Sequence, residues 1–435
     1  MTDFSPSTNL AAGSALVIDT TAPTVSSFTM SDTALKSGET ATVTIVFSEA
    51  VANFSSAADV TVVNGSLANM TSGDSITWTG VYTPTDNVED DTNVLTLGTN
   101  WTDSTGTAYG GATVDTDNFT IDTSDPSISA IATSAFSWGD SLNATEDDSN
   151  GTVSVTTTGV ENGQTVTITL NGQTYTNTTT SNATTVTIAA AKLQALNNGS
   201  SYTMTADVSD AAGNAADQVT SSSFSVDTTA PTVSSFTMND TALDSDDTAT
   251  VTIVFSEAVT GFANADLTIP NGSLSTMTSG DNITWTGTYT PTADVEDTTN
   301  VLTLATTYTD LAGNAGAAGQ TANFTIDTDT PSISAIATTA FSWGAYLNAT
   351  EDNNNGTVSV TTTGVEDGQT VTITLNEQTY TNTTTDNATT VTITSGGLQG
   401  LSEGSVTMTA DVSDAAGNAA TQVTSSAFTY DKTAP

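Results

Sequence analysis

Val166-Thr-Ile-Thr-Leu-Asn-Gly-Gln-Thr-Tyr-Thr176 decides the fold. Val166, Ile168 and Leu170 alternate with threonines, and a period of two in a stretch rich in β-branched residues marks a half-buried strand rather than a helix. Asn171-Gly172 then supplies the dipeptide preferred where both turn residues need positive φ, so the stretch reads as a hairpin. The same alternation recurs in Val43-Ile45-Phe47, Val153-Val155, Val186-Ile188, Met204-Ala206-Val208 and Phe224-Val226. A copy of the hairpin near residue 371 carries Asn376-Glu377 at its turn, where glutamate weakens the signal. The helix-like stretch 190–196 is too short to form a packing layer.

Outward from these strands, the chain is punctuated by one linker motif. Asp19-Thr-Thr-Ala-Pro23 returns intact as Asp227-Thr-Thr-Ala-Pro231, with variants at 122–126, 327–331 and 431–435. The prolines at 23, 126, 231, 331 and 435 are spaced by 103, 105, 100 and 104 residues, each the length of one small domain. Residues 20–123, 124–227, 228–328 and 329–431 are therefore expected to be four beads, preceded by the tail of another repeat at 1–19 and followed by a restarted linker at 432–435. Beads one and three share Ala-Thr-Val-Thr-Ile-Val-Phe-Ser-Glu-Ala-Val, and beads two and four share Asn-Ala-Thr-Glu-Asp and Gly-Thr-Val-Ser-Val-Thr-Thr-Thr-Gly-Val-Glu. The order is A1-B1-A2-B2. Seven or so short strands per bead, separated by Gly, Asn, Asp and Ser turns, predict an all-β array of immunoglobulin-like antiparallel sandwiches.

Charge narrows the function. The 435 residues contain 48 acids against three lysines (Lys36, Lys192 and Lys432), giving a net charge of −45. Nucleic acid and anionic membranes require a basic face that this composition lacks. The absence of cysteine and histidine removes disulfides, thiolate chemistry, the usual zinc ligands and the usual general base, so an enzyme is not expected. The staple that remains for small domains is an oxygen-ligated metal.

Acids and amides recur at fixed offsets from the linkers. Asp210, Asp310 and Asp414 each lie 17 residues before a linker aspartate (Asp227, Asp327 and Asp431), and each opens Asp-X-Ala-Gly-Asn, ending at Asn214, Asn314 and Asn418. Glu49 and Glu257 follow their linker prolines by 26 residues, and Glu146 and Glu351 follow theirs by 20. Two aspartates, an asparagine, a glutamate and backbone carbonyls at one junction would suit calcium, which takes six to eight oxygens. One such cage is expected to join Asp210, Asn214, Asp227 and Glu257. The competing reading is that these residues cap turns through their own backbone. The runs beginning at Glu89 and Glu296 suit either a second site or a solvated turn, and the turn is the favoured reading.

As a set, Phe-Ser-Glu-Ala-Val, Leu-Asn-Ala-Thr-Glu, Gly-Gln-Thr-Val-Thr-Ile-Thr-Leu-Asn, Asp-Ala-Ala-Gly-Asn and Asp-Thr-Thr-Ala-Pro resemble the bacterial immunoglobulin-like extender repeats of giant secreted, calcium-dependent adhesins of the biofilm and ice-binding type. The resemblance implies a stalk stiffened by calcium at its linkers. By position the ligands would be Asp122, Asp210, Asp227, Asp310, Asp327, Asp414 and Asp431 with Glu49, Glu146, Glu257 and Glu351. The linker acids Asp19, Asp125 and Asp329, the asparagines of the Asp-X-Ala-Gly-Asn loops, and Asn143 and Asn348 complete the candidate set. Bead A1 departs from the pattern, with Asp103-Ser-Thr-Gly-Thr107 in place of Asp-X-Ala-Gly-Asn, so the first internal junction is expected to bind metal less well.

The leading reading is a cell-surface, extracellular extender: a monomeric rod whose immediate partners are neighbouring repeats and whose adhesive domain lies elsewhere. A surface-layer or sheath segment, or a carbohydrate- or protein-binding module, is the alternative. For the carbohydrate reading, Trp138 and Trp343 in Phe-Ser-Trp-Gly are expected to be exposed, available to stack on a sugar or on the adjacent bead.

Overall fold

The computed structural model describes residues 18–433, so most of the tail assigned to 1–19 and the last two residues of the closing linker lie outside it. Among the described residues the chain is built of β-strands with only short helical turns, such as Ser56–Asp59 and Ala190–Leu193. No helix among them is long and apolar enough to cross a membrane. Four separate hydrophobic clusters lie one in each bead. The beads group in pairs into two compact units, residues 1–227 and 228–435.

In the first unit, bead A1 has a four-stranded sheet running Val25–Met30, Ala41–Phe47, Thr77–Pro84, Gly65–Leu67. Phe28 lies opposite Ile45, which lies opposite Trp78. Alternation decides which side chains go inward: Val43, Ile45 and Phe47 are buried while Thr42 is exposed. Each large apolar side chain so buried contributes about 1.5–3 kcal/mol. A second sheet sets Ala34–Lys36 parallel to the last strand, Phe119–Asp122, with Lys36 opposite Asp122. This pairing fixes the trailing pole of the bead, from which the next linker leaves.

Bead B1 repeats the plan with Ser141–Leu142 parallel to Phe224–Val226. Its hairpin forms as the sequence predicts, Thr165–Leu170 against Gln173–Thr178, closed by Asn171 at φ 48° and Gly172 at φ 72°. Trp138 does not lie on the surface. It is 4% exposed, stacked on Phe136 at 5.4 Å and edge-on to Phe224 at 5.4 Å. The ring is held there because Gly151 leaves room: a Cβ at that glycine would meet it at 2.4 Å.

In the second unit, bead A2 pairs Ala249–Phe255 with Thr284–Pro291 and sets Ala242–Leu243 parallel to Phe324–Asp327. Bead B2 packs Trp343 against Phe341 and Phe428 as B1 packs its tryptophan. Its hairpin closes on Asn376 at φ 46° and Glu377 at φ 62°. The turn that the glutamate made doubtful therefore forms, with Glu377 in the left-handed region that favours glycine.

Candidate metal centre

At the leading pole of A1, where the linker arrives, three carboxylates converge. The ligand oxygens of Asp19, Glu49 and Asp103 lie within 4.8 Å of one another. The two-residue strand Thr102–Asp103 pairs with Val51–Ala52, Asp103 opposite Val51, and this brings Asp103 beside the turn that carries Glu49. Asp103 is 1% exposed. Its Oδ1 accepts from the backbone N–H groups of Thr105 (2.7 Å) and Thr107 (2.8 Å) and from the Thr105 hydroxyl (2.9 Å). Its Oδ2 is buried without a hydrogen-bond partner.

Burial pushes the Asp103 carboxyl upward, but the bonds from Thr107 and Thr105 outweigh that and hold it below its ordinary range. Glu49 is pushed up, first by desolvation and then by the charges of Asp19 and Asp103. One carboxyl is thus held below its ordinary range and its neighbour above it, by burial first and by like charge second. A hard, oxygen-preferring cation fits this donor set.

Asp103 was read only as a departure from the pattern, and in a different place. The loop Asp103–Thr107 faces the linker that precedes its own bead, so its altered sequence bears on the Asp19 junction rather than on the first internal one. The same placement corrects the expected cage. Asp210 and Asn214 lie at the leading pole of B1, where the Asn214 amide donates to the Asp122 carbonyl at 3.0 Å. Asp227 lies at the opposite end, its N–H donating to Leu142 O at 3.0 Å. A last strand that runs out to the linker separates the linker from the loop before it. Glu257 and Asp310 occupy in A2 the positions of Glu49 and Asp103 in A1, with Asp310 opposite Val259. Asp310 Oδ2 accepts from Asn314 Nδ2 at 2.7 Å.

The glutamates of the B beads are also placed differently from the sequence expectation, at the trailing rather than the leading pole. Glu146 Oε2 accepts from the N–H of Asn143 (3.1 Å), while Asn143 Oδ1 accepts from the N–H groups of Thr145 (2.9 Å) and Glu146 (3.0 Å). Asn348 and Glu351 make the same turn beside Asp431, with Asn348 opposite Asp431 in parallel register. These bonds satisfy local backbone, the turn-capping role considered for them.

Within each unit a second group of acids lines the A–B junction. Between A1 and B1 a cavity of about 240 Å³ is bordered by Glu89, Asp122, Asp125 and Glu161. The Asp122 carboxyl is raised, first by burial, with Asp210, Glu89 and Glu161 adding to it against a hydrogen bond from Ser124 N–H. Between A2 and B2 a cavity of about 250 Å³ is bordered by Glu296, Asp327, Asp329, Glu366 and Asp414. Asp327 is raised by burial and then by Asp414, with smaller pushes from Glu296 and Glu366 against the Asp329 N–H bond. Glu161 and Glu366 were missed as site residues, although the Gly-Val-Glu shared by both B beads carried the signal. Glu89 and Glu296, for which the sequence favours a solvated turn over a second site, border the junction cavities.

Residues 19–121 and 227–326 match the family model described as bacterial Ig-like domain. No curated protein matches the chain. Similar solved structures include a Ca²⁺-stabilised adhesin with which an Antarctic bacterium binds ice (22% identity, 94% of this chain, 99% of that one, TM-score 0.39). Another comes from work on host cell surface retention of a 1.5-MDa bacterial ice-binding adhesin (24% identity, 71% and 98%, TM-score 0.35). A single immunoglobulin-like domain of the M. primoryensis ice-binding adhesin is 33% identical over 24% of this chain and 96% of that one, with TM-score 0.18. Beads A1 and A2 belong to the bacterial Ig-like domain family, and B1 and B2 alternate with them as β-sandwiches in the same chain.

Proposed function

We propose that the chain is an extender segment of a large bacterial cell-surface adhesin, exported from the cell and stiffened by calcium at the poles where linkers meet beads. The observation that carries the reading is the buried, unpartnered Oδ2 of Asp103 in the cluster it forms with Asp19 and Glu49. A linker residue and two bead residues would then share one ion, so binding would remove the linker's freedom to swing. Backbone carbonyls and water would complete the shell, an irregular geometry that calcium tolerates better than magnesium. The candidate ligands beyond this trio, at the A–B junctions and at Glu257 and Asp310, are proposed as further sites of the same kind. The immediate partners are neighbouring repeats of the same chain, and adhesive contacts belong to domains elsewhere in the parent protein. Trp138 and Trp343 are buried and offer no platform for stacking on a sugar, which weighs against the carbohydrate-binding alternative.

The test is small-angle scattering of the chain with calcium and with excess chelator. Calcium should lengthen the maximum dimension and narrow its spread. Superimposable profiles would contradict calcium stiffening.

A further inference from the structure

Asp-X-Ala-Gly-Asn in B1 and Asp-Ser-Thr-Gly-Thr in A1 solve the same problem in two ways. Asp210 Oδ1 accepts from the N–H groups of Gly213 (2.7 Å) and Asn214 (2.8 Å), as Asp103 Oδ1 accepts from its own loop. The second oxygen of Asp210 is not orphaned, because Asn214 Nδ2 donates to it at 2.8 Å. Asn214, 3% exposed, uses the rest of its amide across the junction: Nδ2 also donates to Asp122 O, and Oδ1 accepts from the N–H of Ser37 at 2.8 Å. One B1 side chain thereby grips A1 at two backbone points, beside the two parallel strands that end at Lys36 and Asp122. The second unit repeats this: Asn418 Nδ2 donates to Asp327 O at 2.9 Å and to Asp414 Oδ2 at 2.9 Å, and Asn418 Oδ1 accepts from Ser245 N–H at 2.8 Å.

We propose that Asn214 and Asn418 are clamps that fix the angle between the A and B beads of each unit without any metal. The chemistry needs an amide. A carboxylate at this position would face the carboxylate of Asp210 and the carbonyl of Asp122 with nothing to donate, and threonine is too short to bridge. Neutral hydrogen bonds in a buried position are also little affected by salt, unlike attraction between exposed charges. The chain would then have joints of two kinds, one whose angle is set by an amide whether or not the acids beside it hold a cation, and one, where Asp19 meets A1, that depends on a cation. The clamp does not rest on the calcium reading, and its test separates the two.

The full chain has no cysteine, so Thr42→Cys in A1 and Thr174→Cys in B1, both at exposed strand positions, give two unique spin-label sites. Double electron–electron resonance in excess chelator should show one narrow distance distribution, unchanged by calcium. Asn214→Thr should broaden it. That variant is expected to fold because A1 already carries Thr107 at the matching place with its loop bonds intact, and retention of the far-UV circular dichroism spectrum checks this. Asn418→Thr, with labels at Thr250→Cys and Thr379→Cys, repeats the test in the second unit. A broad wild-type distribution in chelator that narrows with calcium would overturn the proposal, as would a narrow one in the folded Asn214→Thr variant. Loss of calcium binding from the whole chain would leave the expected result unchanged.

Discussion

Thr107→Asn should give A1 the internal partner that its loop lacks. In A2 the matching Asn314 places Nδ2 2.7 Å from Asp310 Oδ2, on a loop whose backbone bonds match those of A1: Asp310 N–H to Asn314 O at 3.1 Å, Asp103 N–H to Thr107 O at 2.9 Å. The new amide should therefore reach Asp103 Oδ2 without moving the backbone. A hydrogen bond to a buried charged acceptor that was previously unsatisfied shifts the opening equilibrium of its surroundings by roughly tenfold. Hydrogen exchange of the central A1 strand, Ala41–Phe47, reads that equilibrium for this bead alone. In chelator the variant's slowest amides should exchange about tenfold more slowly than wild type. With saturating calcium the difference should shrink, because the cation already partners the same oxygen. An equal gain in both conditions would show that Asp103 Oδ2 is not a metal ligand, and no gain in chelator would refute the account of the orphaned oxygen.

Glu377→Gly should stabilise B2 by about 1 kcal/mol, since glycine adopts the observed φ of 62° without the side-chain penalty, and Gly172→Glu should destabilise B1 similarly; exchange of the two hairpins measures both. Glu49, Asp122 and Asp327 all sit above their ordinary range, so the folded chain holds protons there more readily than the unfolded one. Asp74, Asp90, Asp103, Asp281 and Asp297 are lowered and act in the opposite direction, so the test is a difference. In chelator, wild type should gain stability by denaturant titration relative to Asp122→Asn/Asp327→Asn as pH falls through values just above about 4, and a loss across that window would contradict the shifts. The Lys36 ammonium lies over Gly213, whereas in the second unit Asp244 lies over Gly417. Asp244→Lys should therefore stabilise the second unit by about 0.5 kcal/mol at low ionic strength and by little in about 1 M salt, measured by exchange in A2.

The strands and bead repeat were legible because alternation and turn residues are local signals. Val166–Leu170 with Asn171-Gly172 needed nothing beyond its own neighbours. The pole at which a loop lies is not local. Asp210 and Asp227 are 17 residues apart and invite pairing, yet a strand puts them at opposite ends, and only the strand pairing shows that Asp103 belongs with Glu49. Trp138 looked exposed because its flanking serine and glycine are turn residues. Its burial depends on Gly151, a contact from another strand that neither alternation nor turn residues signal. Glu161 was passed over for the same reason: it reaches the junction through Ala211, whose N–H donates to it at 2.8 Å.

Calcium titration calorimetry on the full chain, wild type against Asp103→Asn, tests the central claim most directly. The substitution keeps an oxygen for the Thr105 and Thr107 bonds and removes the charge that the Asp19 and Glu49 cluster shares. The account predicts that wild type binds calcium and that the variant loses one site while the others remain. Wild type that binds no calcium, or a variant with undiminished stoichiometry, would contradict it.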